Sequence, residues 1–253
     1  MPQNNENVER VSREKEWHNQ AYENNIREKT DKYYSINITS FYYNDLISTE
    51  IKNGNSIFLD YGCGTGHYLI QIANKIKNGI GIDISEVSII NAQQIAKENN
   101  IDNISFFVMD AMNTTFEDEV FDLICGESIL HHLDLKLSLT EIKRILKSNG
   151  KAIFLEPLGT NPIISLYRKF TPEVRTSDER AFKIKDIMMI KKIFPATEIY
   201  YHSFLTIFAV LFRNMKIFST ALKILTFLDK IVLNKYSPFK WLAWICVLVM
   251  KKK

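Results

Sequence analysis

The chain is poor in residues that mark special architectures. Its three cysteines, Cys63, Cys125 and Cys246, are odd in number, far apart and without paired metal spacing. That excludes a disulfide framework and offers no cysteine zinc site. With 6 prolines and 9 glycines in 253 residues there is no Pro/Gly-rich tract, low-complexity segment or internal repeat. A surplus of one charge is also missing. The formal net charge is +3, too small to point toward nucleic acid. The first ten residues lack both a basic n-region and an apolar h-region, so they do not read as a signal peptide. Residues 241–250 are about half as long as a membrane-spanning helix requires. The longer stretch 204–233 is interrupted by Arg213, Lys216, Lys223, Asp229 and Lys230. Neither reads as transmembrane, and the expectation is a cytoplasmic protein, with peripheral membrane contact left open.

What is present is ordinary globular material, 46% hydrophobic and 24% charged, long enough for one large core. Residues 1–50 are polar, with a helical pattern over 8–25, and read as an N-terminal helical lid segment. A turn-like cluster at 52–55 opens a domain over 51–253. Short apolar strands at 56–59, 79–83, 104–109, 121–125 and 151–155 then alternate with helical patterns at 67–76, 85–99 and 133–147. Ser85 is an N-cap candidate, and Asn149-Gly150 a helix stop. Such alternation implies right-handed crossovers and a parallel sheet covered on both faces. Beyond 160 the pattern predicts a helix over 178–194, a strand over 197–203, one or two apolar helices over 205–233 and a last strand over 241–250. The fold expected is α/β, Rossmann-like and doubly wound. Its sheet is mostly parallel with an antiparallel late strand, with a helical insertion before the last strand.

In such a sheet, ligands bind beyond the carboxyl ends of the strands. Four strand ends carry informative residues: Asp60 with its glycines, Asp83, Asp110, and Gly126-Glu127-Ser128. The glycines are spaced G-x-G-x-G at Gly62, Gly64 and Gly66, and His67 stands where a dinucleotide turn would want its third glycine. Asp60, just before the turn, suits a cationic amino end better than a pyrophosphate. Asp83 is placed to accept both hydroxyls of a ribose, and Asp110 to accept from an adenine amino group. Amino-acid end, ribose and adenine together describe S-adenosylmethionine. The competing reading of Asp110 is a turn former.

The stretches LDYGCGTG (59–66), GIDIS (81–85), FFVMDAM (106–112), FDLICGESILHHL (121–133) and EIKRILKSNGKAIFLEP (141–157) resemble class I S-adenosylmethionine-dependent methyltransferases of the small-molecule type. The resemblance covers about 50–160 in order. It implies cofactor roles for Asp60, Gly62, Gly64, Gly66, Asp83 with its neighbour Ile84, and Asp110 with Ala111. Residues 156–180 look like a subgroup of these enzymes with poorly defined acceptors. That subgroup tends to have His-Pro where this chain has Arg180-Ala181.

Methyl transfer from a sulfonium is an in-line displacement, so the protein aligns the acceptor and, where needed, removes its proton. His131 and His132 follow the fourth strand and Glu156 ends the fifth. A carboxylate beside an imidazole orients it and stabilises its charged form. His131, with His132 as second choice, is therefore the candidate base for a hydroxyl acceptor, and Glu156 its orienter. The competing reading makes one histidine a helix cap and leaves the other solvated. Glu127 is a candidate contact to the cofactor or a polar acceptor group. Trp17, His18, Tyr22 and Tyr33 in the N-terminal segment are candidates for closing the site over the acceptor, against simple docking on the core. Arg168 and Arg175 could bind an acidic group on the acceptor, or pair with Glu173, Asp178 or Glu179.

Residues 160–235 form the expected acceptor-binding cap. Within them Arg213, Lys216, Thr220, Lys223 and Lys230 recur at helical spacing opposite a wide apolar face, which suits core packing, an apolar pocket or an anionic membrane surface. No motif calls for a metal. The predicted partner is a small or lipid-like acceptor, not nucleic acid: the fourth strand ends in Gly-Glu-Ser rather than the Asn/Asp-Pro-Pro-aromatic motif of amino-methylating enzymes. A NAD-dependent dehydrogenase conflicts with the glycine spacing. A cofactor-binding protein without turnover would keep every cofactor residue, and only an assay separates it.

Overall fold

The computed structural model describes residues 2–23, 39–51, 56–172, 176, 179–234 and 236–253. The expected turn at 52–55, Tyr33, Arg175, and the partners Glu173 and Asp178 fall outside these residues, as does the side chain of Tyr22. Seven strands form one sheet: β1 (Ile57–Tyr61), β2 (Asn78–Asp83), β3 (Ile104–Val108), β4 (Phe121–Glu127), β5 (Leu146–Pro157), β6 (Glu198–His202) and β7 (Ile245–Lys251). Their order is β3-β2-β1-β4-β5-β7-β6. The first five are parallel, and β7 runs antiparallel between β5 and β6.

Side chains alternate along each strand, so the sheet feeds two cores. Phe58, Leu123 and Cys125 point to one, with Leu69, Ile89 and Ala92. Leu59, Ile124 and Phe154 point to the other, with Leu139, Ile142 and Ile190. Helices α2 (Thr39–Glu50), α3 (His67–Ile72) and α4 (Glu86–Glu98) cover the first face, and α5 (Leu135–Ile145) and α7 (Ile184–Ile193) the second. Caps fix where these helices start. The Ser85 hydroxyl accepts from Ser88 N, and Asp134 accepts from Lys136 N and Leu137 N, each replacing a bond the first turn lacks.

The structure departs from the sequence pattern in these elements. Helix α5 ends at Ile145, not at Asn149-Gly150, because fully buried Leu146 pairs with Phe121 and starts β5 early. Helix α6 (Pro162–Phe170) was not expected. Asn161 caps it by accepting from Ile163 N and Ile164 N, with Pro162 at the first position, where its missing N–H costs nothing. The helix expected from 178 begins at Ile184, where the Asp186 carboxylate accepts from Lys183 N. The last strand begins at Ile245, because Ser237 and Pro238 start a 3₁₀ turn through Leu242 instead.

The apolar insertion forms two helical pieces, within expectation, but not the expected basic face. It splits into a 3₁₀ segment (Thr206–Phe212) and helix α8 (Phe218–Val232), so Arg213 and Lys216 lie off α8 and the single basic stripe does not form. Asp229 is the one buried residue of α8; it accepts from Phe204 N, Leu205 N, Thr206 N and the Thr206 hydroxyl. The face turned away from that anchor is apolar, and Ile224, Phe227 and Ile231 are each more than half exposed. Packing on the core is thus not what this helix does with its outer face. No described helix is long and apolar enough to cross a membrane.

Candidate active site

A cavity of about 560 Å³ opens at the carboxyl ends of β1, β2, β4 and β5. Its wall also takes residues from α1 (Pro2–Glu23) and α6. Helix α1 docks beside the start of α4: the Ser85 hydroxyl donates to Asn19 Oδ1 (2.6 Å), and Lys15 lies 3.8 Å from Glu86.

One end is built by the glycine turn. After β1, Gly62 N and Cys63 N both donate to the Ile82 carbonyl (2.8 and 2.9 Å), folding the turn back on β2. Gly62 has φ 79° and Gly66 φ 71°. A Cβ on Gly62 would sit 2.7 Å from Ile129, and one on Gly66 2.5 Å from the Phe106 ring. Conformation and close packing both require glycine there. Asp83 Oδ2 accepts from Gly64 N (2.9 Å) and its Oδ1 from Ser85 N (2.8 Å). It therefore locks the turn to the start of α4 as well as facing the cavity. Asp110 Oδ1 accepts from Met112 N, so it forms a turn and lines the cavity at once. Ile84, Ala111 and Glu127 also reach the wall; Glu127 accepts from the Ser40 hydroxyl at 3.3 Å.

Asp60 is buried, and its Oδ2 has no hydrogen-bond partner. Burial, reinforced by the negative charges of Asp83 and Glu127, pushes its carboxyl up to about 7. An orphaned buried acceptor of this kind is costly unless a donor completes it. A cationic amino group arriving in the cavity is such a donor. The residues present therefore fit an amino-acid-bearing cofactor.

The other end gathers imidazoles and carboxylates from distant segments. His131 and His132 close a 3₁₀ turn (Leu130–His132) after β4. Glu156, fully buried at the end of β5, accepts from Ile129 N (3.1 Å) and Leu130 N (2.8 Å) through Oε1. Its Oε2 lies 2.7 Å from His131 Nδ1, so one carboxylate both holds the turn and orients the ring. His131 Nε2 is left facing Glu179 at 3.8 Å. His132 Nδ1 lies 3.2 Å from Glu14 Oε2, and His18 Nε2 lies 3.5 Å from that same oxygen. Neither histidine of the pair is solvated, and neither caps α5, whose cap is Asp134.

Trp17 packs edge-on against His18 and shares the wall with it. Arg168 also lines the cavity, and its guanidinium donates to Glu179 Oε1 at 2.7 Å. Sequence reasoning missed Glu14, and it named Glu179 only as an alternative partner for Arg168, the pairing found here. The signal for Glu14 was present, since Glu14 and His18 are four apart on one helix face. Burial opposes ionisation of Glu14, but hydrogen bonds from His132, His18 and Thr176 outweigh it and hold its carboxyl well below the usual range. Arg180, at the departure from the subgroup pattern, turns away from the cluster and pairs with Asp186 at 2.7 and 3.1 Å.

A family model described as a methyltransferase domain matches residues 52–198. The chain belongs to this methyltransferase-domain family. Among curated relatives, the uncharacterized methyltransferase YcgJ of Bacillus subtilis is 28% identical over 99 residues, 39% of each chain. The demethylmenaquinone methyltransferase of Staphylococcus carnosus is 30% identical over 126 residues, 48% of this chain and 50% of the relative. The matches thus span about half or less of these relatives. The crystal structure of YcgJ superposes with a TM-score of 0.57 at 14% identity, covering 84% of this chain and 99% of the other. Geranyl diphosphate C-methyltransferase from Streptomyces coelicolor, in complex with Mg²⁺, geranyl diphosphate and S-adenosyl-L-homocysteine, gives 0.60 at 12% identity, covering 85% and 80%. At these identities the solved structures establish the methyltransferase fold.

Proposed function

We propose that the protein binds S-adenosylmethionine against the glycine turn and directs its methyl group to an oxygen of a small, partly apolar or lipid-like acceptor. Asp60 receives the amino end and Asp83 the ribose, with Asp110, Ala111 and Ile84 around the adenine. The cofactor supplies the electrophilic methyl group. The chain's own residues hold the acceptor in line and exclude water. His131 Nε2 takes the hydroxyl proton, while Glu156, accepting from Nδ1–H, fixes the tautomer that leaves Nε2 free to do so. The observation that carries this reading is the 2.7 Å His131–Glu156 contact in the cavity that also holds the unpartnered Asp60 oxygen. Helix α1, with Trp17 and His18 on the cavity wall, serves as the lid.

The test is calorimetric titration with S-adenosylmethionine and, separately, NADH, on wild type and Asp83→Ala, followed by transfer of labelled methyl to apolar hydroxylated acceptors. Binding of the sulfonium cofactor alone, weakened in the variant, with labelled product formed, supports the reading. Binding of NADH instead sinks it, and cofactor binding without product under any acceptor leaves a cofactor-binding protein.

A lipid-like acceptor is favoured by the outer face of α8. Ile224, Phe227 and Ile231 stand exposed beside Lys223 and Lys230, an arrangement that buries its apolar side chains in a bilayer interface while its lysines meet anionic headgroups. Co-sedimentation with phosphatidylglycerol vesicles, weaker with phosphatidylcholine, is expected. Equal absence from both would remove the membrane from the reading.

A further inference from the structure

The methyl-transfer reading uses His131 and Glu156, gives His18 only a place in the lid, and leaves Glu14 and His132 without a chemical task. Glu14, His18 and His132 meet at the cavity wall. Glu14 and His18 come from successive turns of α1, and His132 from the turn after β4. Their ligating atoms all lie within 4.8 Å of one another. Glu14 Oε2 is 3.2 Å from His132 Nδ1 and 3.5 Å from His18 Nε2. Two ligands bound tetrahedrally at zinc–nitrogen and zinc–oxygen lengths stand about 3.3 Å apart, so these spacings already match a shared ion. The support behind Glu14 is also built. Its Oε1 accepts from the Thr176 hydroxyl (2.6 Å), which itself accepts from Glu179 N (3.0 Å). Metal-binding side chains are held by outer partners of this kind.

The charges point the same way. Glu14 is buried, and its contacts among the described residues are two imidazoles and a hydroxyl, with no guanidinium or ammonium of those residues bonded to it. Among the described residues, Arg10 donates to the His132 carbonyl and Arg168 to Glu179. A divalent ion would supply the missing positive charge and leave both imidazoles neutral, as ligation requires.

We propose that Glu14, His18 and His132 form a divalent transition-metal site of the two-histidine, one-carboxylate type. Its remaining coordination position opens on the cavity beside His131. A donor set of two imidazoles and one carboxylate selects a first-row ion such as zinc over magnesium or calcium. Resting on the methyl-transfer reading, the ion's task is to hold an acceptor oxygen and lower the pKa of its proton. It also ties α1 to β4, so that metal binding closes the lid.

The test uses the full chain stripped with chelator and titrated with Co²⁺ alone. Expected are one Co²⁺ per chain, visible ligand-field absorption of tetrahedral intensity, displacement by Zn²⁺ and indifference to Mg²⁺. Affinity should fall about 100-fold or more in Glu14→Gln and His18→Ala, with folding checked by circular dichroism. His18→Cys should keep the ion and add sulfur-to-cobalt charge-transfer absorption, which a merely structural histidine would not produce. No saturable binding to wild type, or binding unchanged in the Glu14 and His18 variants, overturns the site. Asp83→Ala separates the two readings: it should lose the cofactor and keep the cobalt spectrum, so either can fail alone.

Discussion

The two ends of the cavity are made in opposite ways. The end proposed for the cofactor comes from strand ends and turns between residues 60 and 111, each a few residues from a glycine or a strand that places it. The acceptor end draws Glu14, His18, His131, His132, Glu156, Arg168 and Glu179 from five separated segments. The first end is rigid: Asp83 bonds two backbone amides and the turn is packed against Ile129 and Phe106. The second depends on α1 and the segment after α6 arriving together. It follows that cofactor affinity and turnover should respond to different substitutions.

The largest effect is expected from His131→Ala. Turnover should fall by about 10²–10⁴-fold, the range of a lost general base, while S-adenosylmethionine affinity measured by calorimetry stays within about twofold. A matching loss of cofactor affinity would erase the distinction between the two ends. Asp60→Ala should do the reverse, weakening the cofactor by about 10–100-fold, as expected for one charge-assisted hydrogen bond, with turnover at saturation changed far less.

The pH dependence of cofactor binding comes next. Asp60 titrates near 7 in the free protein, and its ionised form is the one that receives a cationic amino group. Affinity should therefore fall as pH drops through 7, by about 10–30-fold between pH 8 and 5.5, with proton release on binding. Because its folded pKa is raised above the unfolded value, Asp60 favours folding at low pH and loses that contribution as pH rises through 7. Asp60→Asn should accordingly gain in melting temperature over wild type at pH 8 and not at pH 4. Identical pH profiles would mean that the buried carboxyl is not the titrating group. The smallest effect on the fold belongs to Phe227→Ser, which should change stability by no more than about 0.5 kcal/mol yet reduce vesicle binding. A large loss of stability would show that α8 packs on the chain after all.

Much of the cofactor end was legible because its signals are local. Gly62, Gly64 and Gly66 announce a turn by type and spacing, and Asp60 and Asp83 stand at the ends of short apolar runs. The acceptor end was legible only in part. His131, His132 and Glu156 could be placed near one another from strand order, but that Glu156 also holds Ile129 N and Leu130 N could not. Glu14 carries no signal until α1 is docked, and Glu179 none until the chain after α6 folds back. Leu146 shows the same limit in the fold itself, since helical pattern favours continuing α5 while pairing with Phe121 decides for β5.

By itself, then, the sequence determined the α/β alternation, the parallel sheet and the position of the glycine turn. These follow from hydrophobic periods and turn residues acting over a few positions. Only the tertiary structure decided that Glu14 and His18 of α1 meet His131, His132 and Glu179 on the cavity wall and that α8 turns an apolar face outward. Such contacts join residues more than a hundred positions apart, and their energy depends on packing and burial that no local pattern encodes.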